Sequence, residues 1–168
     1  MNRFAYSLIL EHYKNRCTKR SGVPLINHIN EGIEILHLIG ADDNTIGAFC
    51  IHPLVQDDAE LSKNYNYLST IDPYIMNPKV LYLALEYRNI ANAYLSHRII
   101  SSIDEIKLSP IKEVNQMLIA DKVQNYKDFL IYHSATHPRS QELDEYFNNW
   151  LKRLDAEQIF RTYIELKI

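Results

Sequence analysis

The chain has 168 residues, 46% hydrophobic and 23% charged, which suits one globular domain with a sizeable core and excludes a disordered chain. A net charge of -3 and a pI near 6.1 exclude a dedicated nucleic-acid binder, which would be strongly basic. No apolar run approaches the roughly 20 residues that span a bilayer, and charge comes too early at the N-terminus for a secretory leader. A cytoplasmic protein is expected.

All four glycines fall at or before Gly47, which favours helices over a chain of tight hairpins. Phe4, Leu8, Ile9 and His12 form an amphipathic stripe, predicting a first helix that ends near Arg20-Ser21-Gly22. Ile29, Ile33, Leu36 and Ile39 predict a second helix closed by Gly40. Asp42 or Asp43 can cap a short third helix through Ile46, Phe49 and Cys50 towards His52. Residues 57–70 read as a helix and a turn. Asn77 can cap a long helix from Pro78 to about Arg98, with proline tolerated in its first turn. Pro110 opens a helix whose buried side is Val114, Met117, Leu118, Val123 and Phe129. After Pro138, Leu143, Phe147, Trp150 and Leu154 recur at helical spacing, so C-terminal helices are expected at about 139–167. No repeat, low-complexity tract or linker interrupts residues 1–168, and the expected fold is one all-α domain, a compact helical bundle.

Cys17 and Cys50 match no metal or redox spacing and read as reduced thiols in or near a helical core. His133 and His137 are four apart, the spacing of a metal pair on one helix face, but no acid accompanies them and Pro138 implies a loop. His12, His37 and His97 stand singly and read as ordinary helix residues. Of the 12 tyrosines, Tyr87 and Tyr94 share a helix face; core packing is the plain reading and base stacking the sharper one. There is no Gly-rich phosphate loop and no nucleophilic Ser or Cys motif.

Four segments carry a resemblance. Arg20-Ser-Gly-Val-Pro-Leu-Ile-Asn-His28 has a basic residue, a short turn, then Pro and His. Residues 29–49 run helix, Gly turn, then Asp-Asp-Asn-Thr-Ile-Gly-Ala-Phe. His52-Pro-Leu-Val-Gln-Asp57 comes next, and later Leu118-Ile-Ala-Asp121-Lys-Val-Gln-Asn125-Tyr-Lys-Asp128. In order and spacing across residues 4–130 these resemble the RelA/SpoT-type HD phosphohydrolase domain. That resemblance implies an HD-type helical bundle that hydrolyses guanosine 3′,5′-bispyrophosphate with a manganese-like divalent metal. It implies His28, His52 and Asp121 as metal ligands, and Arg16, Lys19, Arg20 and Asn125 as nucleotide-holding residues. Arginine suits such a role because its planar fork both stacks and binds phosphate.

Two positions depart from the family pattern. The aspartate of the His-Asp pair is Pro53, which offers no ligand and restricts the residue before it. The glutamate that orients or activates water is Gln56, which cannot take a proton at neutral pH, although Asp57 survives beside it. Gln56 and Asp57 are thus the catalytic positions of a degenerate motif, and hydrolysis is expected to be weak or lost. The alternative is a pseudoenzyme that binds a guanosine nucleotide, a related phosphorylated ligand or a protein partner.

Overall fold

A computed structural model describes residues 3–19, 21–95, 98, 100 and 102–167. Among them lie eight α-helices: α1 Arg3–His12, α2 Ile26–Leu38, α3 Asp43–Ile51, α4 Asp58–Ser69, α5 Pro78–Ala93, α6 Lys112–Tyr132, α7 Ser140–Arg153 and α8 Glu157–Glu165. Two 3-10 turns, His52–Leu54 and Ile103–Glu105, connect them, and no strand is present among the described residues. The expected all-α class is what the chain adopts.

The helix starts follow local chemistry. The Asp42 carboxylate accepts from the Thr45 amide at 2.7 Å and caps α3. Asp57 accepts from the Glu60 amide at 2.8 Å and caps α4, and Asn77 accepts from the Lys79 amide at 2.9 Å and caps α5. Gly40 follows α2 with φ of 67°, the left-handed turn that stops a helix at little cost to glycine.

Three boundaries differ from the sequence reading. α1 stops at His12, well before Gly22, because Asn15 turns left-handed (φ 59°) and Cys17 then bridges to Pro24. α5 ends at Ala93 instead of near residue 98. α6 begins at Lys112, two residues after Pro110. The C-terminal region forms two helices, separated where Asp155 takes φ of 53°. Cys50 is buried as a core thiol, whereas Cys17 is exposed in the loop. Arg20 and His97 lie outside the described residues.

α6 is the axis of the bundle. It packs against α2, α3, α5, α7 and α8, so every side of it meets protein. Val114, Met117, Leu118, Val123 and Phe129 are all buried, as the spacing predicts. The same enclosure also buries Gln116, Asp121, Lys122, Gln124 and Lys127. Polar side chains inside a helical core must find partners there, and this requirement builds the site.

Helices α2 and α3 approach closely at Gly32. A Cβ at that position would lie 2.0 Å from the Phe49 ring, which is itself fully buried. Gly32→Ala is therefore expected to destabilise the protein by about 1–3 kcal/mol through overpacking, more than its gain in helix propensity returns. A urea unfolding midpoint equal to or above wild type would contradict this.

Candidate functional site

Three elements bring His28, His52 and Asp121 together. His28 lies in the first turn of α2, His52 opens the 3-10 turn after α3, and Asp121 is mid-way along α6. A ligand atom from each lies within 4.8 Å of the others, and no further such group of His, Cys, Asp or Glu occurs among the described residues. His28 Nε2 is 3.7 Å from Asp121 Oδ1, and the two imidazoles meet edge-on with ring centres 5.4 Å apart.

Pro53 does not turn His52 aside. His52 keeps helical angles (φ -54°, ψ -36°) despite the proline after it. Its ring is anchored by Nδ1–H donating to the Phe49 carbonyl at 2.6 Å, and it packs between Phe49 and Tyr87. Burial, with His28 close by, pushes the His52 pKa down to about 3, against the opposing pull of Asp121. The imidazole is neutral at any ordinary pH.

His28 is oriented by a chain of partners. The Gln124 amide nitrogen donates to Glu31 Oε2 at 3.1 Å and to Asp128 Oδ2 at 2.7 Å. Those two carboxylates demand the NH2 end, so Gln124 Oε1 faces His28 Nδ1 at 2.6 Å and accepts a hydrogen bond from Nδ1–H. Lys127 closes the chain, donating to Glu31 at 2.5 and 2.6 Å and pairing with Asp128 at 2.9 Å. Both histidines thus use Nδ1–H on a protein acceptor, which leaves Nε2 as the ring atom available to a metal.

Asp121 is heavily partnered. Lys122 Nζ lies 2.9 Å from Oδ2, and Asn125 Nδ2 donates to Oδ1 at 2.9 Å. Burial alone would raise the Asp121 pKa, but Lys122, followed by His28 and His52, brings it down to about 2. Burial, with the Asp121 charge nearby, holds the Tyr87 hydroxyl pKa well above the usual range. Lys122 is buried, with its ammonium 5.0 Å from the Trp150 ring centre and 5.6 Å from that of Tyr146.

The cluster opens on a cavity of about 690 Å³. His12, Tyr13 and Arg16 line one part, Pro53, Gln56, Asp57 and Glu60 another, and Tyr87, Lys122, Asn125, Tyr146 and Phe147 others. His133 and His137 also line it, although sequence spacing implied no shared role with the triad. Arg16 Nη1 donates to His12 Nε2 at 3.0 Å, with its guanidinium over the Tyr13 ring.

Of the site residues expected from sequence, His28, His52, Asp121, Arg16, Asn125, Gln56 and Asp57 all line this cavity, and Lys19 does not; it is exposed. Arg20 cannot be placed, since it lies outside the described residues. Asn125 holds Asp121, and Asp57 caps α4. Gln56 Nε2 donates to Asn92 on α5 at 2.5 Å, while its Oε1 is buried without a partner. Asp58, the other nearby acid, forms an ion pair with Arg88. Gln124, Glu31 and Lys127 escaped sequence reasoning altogether. Their relation joins α2 to α6 across 96 residues of chain and leaves no local pattern.

A divalent ion fits this donor set in part. Two imidazole nitrogens and one carboxylate oxygen converge, as intermediate divalent metals prefer. The group holds three donors, and the residue after His52 is Pro53, whose side chain offers none. The molecule is thus an all-α protein with a His-His-Asp cluster beside a ligand-sized cavity. Comparison with protein-family models, with curated proteins and with solved structures finds no match to this chain. No described helix is long and apolar enough to cross a membrane.

Proposed function

We propose that this protein is an HD-type phosphohydrolase relative that binds a guanosine bispyrophosphate-like nucleotide in the cavity and hydrolyses it weakly or not at all. The observation that carries this is the convergence of His28, His52 and Asp121, three separate parts of the chain, within 4.8 Å beside a cavity of about 690 Å³. That volume falls in the range of small-molecule sites.

Within this reading a bound divalent ion supplies Lewis acidity, lowering the pKa of water and neutralising a phosphate oxygen. His28, His52 and Asp121 would hold it, and Gln124 and the Phe49 carbonyl hold both imidazoles by Nδ1. Arg16 faces the cavity to meet phosphate or base, and the unpartnered Gln56 Oε1 accepts a hydrogen bond from a ligand donor. Tyr13 and Tyr87 offer aromatic surface. Proton transfer is the deficient step. Gln56 has no basic group, and Asp57 is tied to the Glu60 amide. The reading places the protein in the cytoplasm, which suits two unpaired thiols, Cys17 and Cys50.

The test is pyrophosphate release from guanosine 3′,5′-bispyrophosphate with manganese, alongside calorimetric binding. Wild type is expected to bind the nucleotide and release little. Pro53→Asp with Gln56→Glu is expected to raise release on the order of a hundredfold, the scale of a restored general base. Adding His28→Ala or Asp121→Ala should abolish that gain. No binding by wild type, together with no gain in the double variant, would refute the proposal.

A further inference from the structure

We infer that the divalent ion and the phosphorylated ligand occupy this site only together, so that the protein recognises a metal–phosphate complex and neither component by itself. This goes a step beyond the nucleotide-binding reading, on which it rests.

The ground is the charge around Asp121. Asp121 is the single carboxylate of the triad, and the other two members are imidazoles. Its charge is already met by the Lys122 ammonium at 2.9 Å, and its second oxygen is engaged by Asn125 at 2.9 Å. Lys122 cannot readily swing away, because its side chain is 8% exposed and its ammonium packs against the rings of Trp150 and Tyr146. One carboxylate and one ammonium sum to zero. At the triad an arriving dication therefore finds ligand atoms but only one carboxylate, which it must share with a cation already in place. In an HD pair the next residue would offer a second carboxylate; here it is Pro53.

A phosphate arriving alone fares no better. Among the described residues that line the cavity, Arg16 and Lys122 are the only lysine or arginine side chains, and Lys122 is committed to Asp121. Asp57 and Glu60 line the same cavity and oppose an anion. The metal brings the positive charge that the phosphate lacks, and the phosphate brings the second anionic ligand atom that the triad lacks. The two binding events are then coupled, and the coupling is reciprocal.

Calorimetry on the full-length protein decides this with three titrations: manganese chloride alone, guanosine 3′,5′-bispyrophosphate in chelator, and the nucleotide with excess manganese. The nucleotide is expected to bind at least about tenfold tighter with manganese than in chelator, and manganese alone only weakly. Asp121→Asn should remove the gain, which separates coupling at this site from chelation in solution. Pro53→Asp supplies the missing anion; it should tighten manganese binding alone on the order of tenfold and shrink the coupling. Tight one-to-one manganese binding by wild type, unchanged by nucleotide, would overturn the inference and leave the nucleotide reading standing. So would equal nucleotide affinity with and without the metal. Absence of nucleotide binding both in chelator and with excess manganese would overturn both.

Discussion

Lys127→Met is expected to cost about 3–5 kcal/mol of stability, the scale of removing one partner from a buried ionic network. The Lys127 side chain is 6% exposed and holds Glu31 at 2.5 Å and Asp128 at 2.9 Å. Burial alone would lower its pKa, yet Glu31 and Asp128 outweigh burial and hold the ammonium above its ordinary value. Methionine keeps most of the volume but leaves two carboxylates crowded around the Gln124 amide. Gln124 would then lose its fixed orientation, and His28 with it. Adding Glu31→Gln to Lys127→Met removes one of the two stranded charges and should restore part of the loss. Urea unfolding of the two single variants and the double variant measures the coupling directly. Simple additivity would show that these groups do not act as a unit.

Acid sensitivity of stability is expected to trace to His52. Its pKa lies near 3 in the folded protein, against an ordinary 6.5. Between those values the unfolded chain binds a proton that the folded chain refuses. Stability must therefore fall as the pH drops below 6.5, by up to about 1.4 kcal/mol per pH unit. His12, also held below its ordinary value chiefly by burial, adds a contribution of the same sign. Asp121 acts lower on the scale. Its depressed pKa contributes stability above the ordinary 3.8, and that is lost only as the pH falls through about 2. Denaturant titrations of wild type and His52→Gln at pH 7, 6 and 5 separate these effects. The glutamine can still donate to the Phe49 carbonyl but has no imidazole to titrate. The wild-type slope should be steeper by close to one proton; equal slopes would show that His52 is not held neutral.

The helical class and the main caps were legible because their signals are local. Asp42 and Asn77 each act on an amide two or three residues away, whereas the capping role of Asp57 came only from the structure. Gly40 ends α2 by its own backbone freedom. The end of α1 was missed because the apolar stripe through His12 says nothing about the turn at Asn15, where the chain leaves the helix. Likewise the periodicity around Pro78 does not reveal that α5 stops at Ala93.

The candidate site divides along the same line. By itself, the sequence marked His28, His52 and Asp121 as candidates through a resemblance, and the same resemblance implies a ligand and a base where proline and glutamine stand. Only the tertiary structure decided that the three side chains converge, that Pro53 leaves the His52 ring in place, and that Lys122 already compensates Asp121. Only it revealed Gln124, Glu31 and Lys127 as the supports of His28. Such residues cannot be read from spacing, because a buried polar group takes its partner from whatever packing brings near it. Here α2 against α6 makes partners of residues 96 positions apart, and burial then makes each of those bonds obligatory.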